Sequence, residues 1–286
     1  MPELPEVEAL ARFLDERCAR RTVERVDVAS LSSLKTYDPP VEALAGRTLV
    51  AVRRYGKHLA FDAGGLWAVL HLSLGGWVRW RDQQVATRAG PGRGPLALRV
   101  ALSGGGGFDV TEQGKEKRLA LWVVHDPLEV PGVARLGPDP LSPGFDAQAL
   151  AAALAAAGGH VKNALVDQAV VAGVGNAYSD EALHAARLSP YRLAARLTAE
   201  EVERLHGALV GVLSAALERS AGVAATGLKA EKKSGLAVHG RAGQPCPVCG
   251  DTIREVSFSA RSFQYCPTCQ TGGKPLADRR LSRLLK

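Results

Sequence analysis

Four cysteines, Cys246-Pro247-Val248-Cys249 and Cys266-Pro267-Thr268-Cys269, constrain this chain of 286 residues more than any other feature. Each Cys-x-x-Cys makes a tight knuckle that aims two sulfurs at one point. Two knuckles with sixteen residues between them close a tetrahedral thiolate site of the kind that suits one zinc ion. All four positions are filled by protein, so such a metal is structural. A pair of disulfides is the competing arrangement, and a reducing compartment disfavours it. Between the knuckles, Ile253–Phe258 and Arg261–Tyr265 alternate apolar or aromatic with polar residues, which predicts a two-stranded hairpin. Arg261 falls at or near its tip, where a guanidinium can reach a phosphate. Cys18 stands apart and is expected as a core thiol of the first helix.

The net charge of +7 is gathered at this end: residues 229–286 hold eleven of the 36 Lys and Arg but four of the 29 Asp and Glu. A basic terminal segment on a neutral body points to a polyanion, because neutralising phosphates releases counterions. Four thiolates around a dication would leave the segment nearer about +5. No stretch approaches the roughly 18 continuous apolar residues of a membrane helix. The start lacks the basic-then-apolar layout of a secretory signal, so a cytoplasmic or nucleoid location is expected.

Residues 3–20 repeat Leu4, Val7, Leu10, Ala11 and Leu14 at helical spacing, so an amphipathic helix opens the chain. Eight short runs follow with no helical pattern between them: Thr22–Val28, Thr48–Arg54, His58–Asp62, Trp67–Leu72, Trp77–Arg81, Leu96–Leu102, Phe108–Thr111 and Leu119–His125. They predict an antiparallel sandwich. Residues 146–220 are rich in Ala and Leu, and helices are expected over 147–157, 162–167, 178–186 and 199–218. Gly222–Gly243 carries Lys229, Lys232, Lys233 and His239 with little apolar periodicity, and is expected to be a mobile basic connection. The fold class is therefore α+β and multidomain, with divisions at 1–135, 136–225, 226–243 and 244–286.

Three short motifs carry chemistry. The chain starts Met1-Pro2-Glu3-Leu4-Pro5-Glu6-Val7-Glu8. Removal of Met1 leaves a secondary amine that is far more often neutral near pH 7 than a lysine side chain. Such an amine forms an iminium with an aldehyde; equally, Pro2 and Pro5 can simply stiffen a helix start. Tyr55-Gly56-Lys57-His58 sits in a turn between two strands, where Lys57 reads as a solvated turn lysine. Val171-Ala172-Gly173-Val174-Gly175-Asn176-Ala177-Tyr178 joins two helices. It is either an ordinary turn or a helix amino terminus that offers N–H groups to a phosphate.

Taken in order, the terminal Pro-Glu, the Gly-Lys turn, His71-Leu72, the Gly-Val-Gly-Asn turn with Ser189-Pro190, and the cysteine knuckles followed by Gln270 resemble the formamidopyrimidine-DNA glycosylase and endonuclease VIII family. The resemblance spans nearly the whole chain. It implies an amino-terminal helix and sandwich, a helix–two-turn–helix domain and a zinc-ribbon hairpin. It further implies a base-excision-repair DNA glycosylase with abasic-site lyase activity, in which Pro2 attacks the sugar and Glu3 moves protons. Lys57, in the catalytic cleft, with His71, Lys162, Asn176 and Arg261, would hold phosphates of double-stranded DNA bearing a damaged base or abasic site. The protein is expected to act as a monomer, away from membranes. A damage-binding paralogue that is non-catalytic, or a lyase only, is the alternative.

Departures from the family pattern bear on substrate. His71-Leu72-Ser73-Leu74 stands where the family often has His-Leu-Gly-Met, so Leu74 is expected to fill the gap left by an extruded base. Glu116-Lys117-Arg118-Leu119-Ala120 replaces Pro-Arg-Arg-Phe-Gly, which casts Arg118 and Leu119 as the residues wedged into the duplex. The segment 221–239 is short for the lid that covers 8-oxoguanine, so ring-opened purines, hydantoins or oxidised pyrimidines are expected instead. Residues 271–286 suggest a short basic helix.

Overall fold

A computed structural model describes the chain except residues 93, 115, 259–260 and 278–286, and except the side chains of Phe258 and Arg261. The chain divides into two compact units: Met1–Arg135 with Ser220–Lys229, and Leu136–Arg219 with the residues from Ala230 onward. The division differs from the expected one in its later part. Residues 220–229 return to the first unit, and the cysteine-bearing segment shares the second unit with the helices.

The first unit opens with α1, Leu4–Cys18, which buries Leu4, Val7, Leu10, Ala11, Leu14 and Cys18, the one-sided row that helical periodicity requires. Eight strands follow in chain order: β1 Val23–Val28, β2 Ala51–Tyr55, β3 His58–Asp62, β4 Trp67–His71, β5 Gly76–Arg81, β6 Leu96–Leu102, β7 Gly107–Glu112 and β8 Ala120–Val124. They form two antiparallel four-stranded sheets, ordered β1-β6-β7-β5 and β2-β3-β4-β8. Phe61 of β3 stacks on Phe108 of β7 with centroids 5.2 Å apart. Burying a side chain of that size stabilises the sandwich by about 2–3 kcal/mol. A short helix, α2 (Pro131–Ala134), has no counterpart among the expected elements.

The second unit contains α3 Ala147–Ala156, α4 Val161–Val166, α5 Asn176–Ala185 and α6 Ala199–Ser220. Asp146 caps α3 by accepting from the Ala149 N–H at 2.8 Å. Then come α7 Leu228–Ser234, whose first two residues belong to the first unit, the hairpin β9 Arg254–Phe258 and β10 Arg261–Tyr265, and α8 Pro267–Thr271. The hairpin pairs Arg261 with Phe258 and Tyr265 with Arg254, as the alternation predicts.

Gly222–Gly243 is not the mobile connection its composition suggested. Ala225 and Leu228 are buried in the sandwich core, and the Trp77 indole donates to the Ala225 carbonyl at 2.8 Å. Further on, Leu236 and Val238 are buried within the second unit. Window-averaged polarity hid these four anchors, because isolated apolar residues leave no periodic trace. Among the described residues no helix is long and apolar enough to cross a membrane.

Candidate active site and metal centre

Helix α1 runs against β2 in the opposite direction. The Asp15 carboxylate accepts from the Val52 N–H at 2.7 Å, and Arg54 donates to the Glu8 carboxylate at 2.8 Å. Moving up the strand therefore means moving toward the helix amino terminus, and the next step meets the turn at Gly56 and Lys57. Pro2 and Glu3 lie at this end, both buried. Glu3 is the N-cap of α1, and its backbone N–H donates to the Glu6 carboxylate at 2.8 Å. Glu6 thus fixes the first turn, and the helix dipole favours carboxylates there. Gly56 has φ +54, a left-handed geometry that glycine adopts without strain.

Lys57 is 7% exposed, so it is not the solvated turn lysine of an isolated hairpin. Beside it, His58 and His71 face each other across β3 and β4 with ring centroids 4.7 Å apart. Burial, reinforced by Lys57, pushes both imidazoles down to about 4. His58 ends the Tyr55–His58 turn motif, which gives it no role of its own. Its ring is held by a contact from Nδ1 to the Tyr55 carbonyl at 3.2 Å and packs toward Trp122.

The residues proposed to enter the duplex part company. Leu74 is 66% exposed, directly after Ser73, which is held at φ +54. Arg118 is exposed and pairs with Glu116 at 2.6 Å. Leu119, however, is 1% exposed and belongs to the sandwich core, so it is not a wedge. Glu112 explains the inward turn, because its carboxylate accepts the backbone N–H groups of both Arg118 and Leu119, at 2.7 and 2.9 Å. That carboxylate is itself buried, and two backbone donors satisfy it.

In the second unit the Gly173–Asn176 turn is shaped by Gln168. Its amide donates to the Val166 and Val174 carbonyls at 3.0 and 2.8 Å and accepts the Gly173 N–H at 2.9 Å. Asn176 begins α5, and its side chain donates to the Ser262 carbonyl of β10 at 2.5 Å. A cleft of ≈ 540 Å³ opens here, lined by Asn163, Asn176, Tyr191 and Ser262 among others. Lys162 also lines it, but its ammonium is turned inward to Asp180, Ser179 Oγ and the Asn176 carbonyl. At 5% exposure it props the turn from beneath, a correction to its expected place among phosphate ligands. A buried ammonium requires such partners. Arg261 stands at the start of β10, while its side chain, like the basic tail beyond Ala277, lies outside the described residues.

Helix α5 carries a buried polar face whose partners the sequence motif does not reveal. Asp180 also accepts from the Gln264 N–H at 3.1 Å and meets His239 Nδ1 at 2.6 Å. Glu181 accepts three consecutive backbone N–H groups, from Ala237, Val238 and His239, at 2.7–2.9 Å. Burial pushes its carboxyl up, against those donors. The signal in the sequence is an acidic pair in mid-helix, and once the helix is buried it is stable only when both acids find partners.

The four knuckle cysteines bring their sulfurs within 4.8 Å of one another. Cys246 and Cys269 are separated by 3.9 Å, Cys249 and Cys266 by 3.3 Å. A tetrahedral ion with metal–sulfur bonds of about 2.3 Å needs sulfurs about 3.8 Å apart, so the cluster fits a structural metal. His184, buried on α5, sets Nε2 3.3 Å from Cys246 Sγ.

Comparison with known proteins agrees with this architecture. Residues 1–115 match the family described as formamidopyrimidine-DNA glycosylase N-terminal domain. Residues 136–227 match the formamidopyrimidine-DNA glycosylase H2TH domain, and residues 243–272 the zinc finger found in FPG and IleRS. A formamidopyrimidine-DNA glycosylase of Symbiobacterium thermophilum is 39% identical over 277 residues, covering 94% of this chain and 89% of that one. The crystal structure of the MutM (Fpg) protein from Thermus thermophilus superposes with a TM-score of 0.79 at 32% identity, covering 96% and 100% of the two chains. A structure of MutM in complex with carbocyclic 8-oxo-G containing DNA gives 0.82 at 25% identity, covering 94% and 100%.

Proposed function

The chain belongs to the formamidopyrimidine-DNA glycosylase family, and from that premise we propose that it is a base-excision-repair DNA glycosylase with abasic-site lyase activity. The carrying observation is that Pro2 and Glu3 are buried at the amino terminus of α1, the end that runs toward Gly56 and Lys57. With Met1 removed, the Pro2 nitrogen is a secondary amine of lower basicity than a lysine. The damaged nucleotide leaves the stack, since its sugar carbon is unreachable inside it. The Pro2 nitrogen bonds to C1′, the base departs with the glycosidic electron pair, and the amine proton is lost. Glu3 protonates the ring oxygen as the sugar opens. The resulting iminium acidifies C2′, and loss of a proton there expels the 3′ phosphate, with the 5′ phosphate able to follow.

Lys57 and His71 are proposed to face phosphate on the first unit, and Asn176 and Arg261 on the second. Leu74 fills the vacated stack with Arg118 beside it. One zinc ion is proposed at the four cysteines, where it holds the ribbon and takes no part in the reaction. Because Ala225 and Leu228 are built into the core, the segment 221–239 lacks the slack of a lid, which supports ring-opened purines, hydantoins or oxidised pyrimidines over 8-oxoguanine.

Borohydride reduction on a duplex with an abasic site tests the chemistry. A covalent adduct is expected from the wild type whose Met1 is shown by mass spectrometry to be absent. Blocking the amine with an amino-terminal extension should abolish it. Base excision should fall at least about a hundredfold in Glu3→Gln, the contribution typical of a positioned acid. No adduct from the processed wild type would refute the enzyme reading, and a lesion panel dominated by 8-oxoguanine would refute the substrate reading.

A further inference from the structure

The contact between His184 and Cys246 has no role in the reaction proposed above. It is buried, it lies on the helix that begins at the Gly173–Asn176 turn, and it ends on a metal-ligating sulfur. A thiolate that binds a metal carries no hydrogen, so a ring nitrogen 3.3 Å away attracts it only as a donor. Nε2 must therefore bear the hydrogen, and that N–H stabilises one of the four thiolates gathered around the dication. Asn176, Asp180 and His184 recur every four residues along one face of α5. Each touches the ribbon segment: Asn176 the Ser262 carbonyl, Asp180 the Gln264 N–H and His239, His184 the Cys246 sulfur.

We propose that His184 is a positioning residue of the metal centre, donating Nε2–H to the Cys246 thiolate. Through α5 it ties retention of the metal to the placement of the Asn176 turn. The inference rests on the proposed four-thiolate site and adds a residue to it. Removing the donor leaves a more electron-rich sulfur, which binds a proton or a competing reagent more readily and loosens its metal.

Cobalt(II) in place of zinc reports on the sulfur directly. The intact protein should give the intense thiolate-to-cobalt absorption of a tetrahedral four-sulfur site. In His184→Ala and His184→Phe that absorption should shift to longer wavelength, because sulfur holds its electrons less tightly. Loss of zinc to a chelating dye should accelerate about ten- to hundredfold, the usual effect of losing an outer partner. His184→Gln keeps an N–H of similar reach and should recover most of both properties, whereas the phenyl ring restores packing alone. Matching spectra and release rates in His184→Phe and the wild type would overturn the proposal. So would rescue by Phe equal to that by Gln. If His184→Ala does not fold, the Phe and Gln variants still decide the matter. A wild type with no four-thiolate cobalt spectrum would instead overturn the metal centre and this inference together.

Discussion

Leu74 and Leu119 show how one residue type serves two ends. Both were expected from the sequence to enter DNA, yet one is 66% exposed and the other 1%. Leu119→Ala should therefore cost about 2–5 kcal/mol in urea unfolding, the range for emptying a core leucine. Leu74→Ala should change stability by less than about 0.5 kcal/mol while slowing base excision. Equal losses of stability would mean that the burial contrast is wrong. Lys162 and Asp180 make a second test. Asp180→Asn leaves a buried ammonium with neutral partners and should cost about 3–5 kcal/mol, read as a lower urea midpoint. At this scale the motif residues were legible because chemistry restricts their type. Their partners were not. Nothing local to Lys162 says that the carboxylate of Asp180 lies across the turn, or that Glu112 will pull Leu119 inward.

At the scale of elements, residue pattern found the first helix, the eight strands and helices α3 to α6, because each carries a repeating or continuous run of buried residues. It missed α7 and the attachment of residues 220–229, where single anchors replace a repeat. Trp77→Phe removes the indole donor to Ala225 while keeping most of the aromatic bulk. The loss should be about 1 kcal/mol, with faster tryptic cleavage at Lys229 under native conditions. Unchanged cleavage would show that Ala225 and Leu228 hold the segment unaided. Gln168 plays the same part for the Gly173–Asn176 turn. Gln168→Ala strands a backbone N–H and two carbonyls, and should weaken DNA binding beyond its effect on unfolding.

For the whole molecule, two forces set the response to conditions. His58 and His71 titrate near about 4 when folded but near about 6.5 when unfolded, so the native state binds fewer protons between those values. The stability they contribute is complete above about pH 6.5 and declines as pH falls toward 4, by up to about 3 kcal/mol per imidazole. Urea midpoints from pH 8 to pH 4 should fall accordingly, and His58→Phe should flatten the slope. Metal removal acts elsewhere: a chelator should raise hydrogen exchange in β9, β10 and the first turn of α5, leaving the strands of the sandwich protected. Uniform exchange across both units would contradict that division.

The four clustered cysteines, the Pro-Glu start and the Gly-Val-Gly-Asn turn on which the proposed chemistry rests were all readable before folding, as was the order of helices and strands. Each is set by residue type at fixed spacing, which folding cannot alter. Which charges face inward was settled by packing. It turned Lys162 to Asp180, gave Glu181 three backbone donors, set His184 on a cysteine sulfur and fastened residues 220–229 to the sandwich. Those outcomes depend on partners dozens of residues away, and a buried charge is stable only where the fold delivers its counterpart.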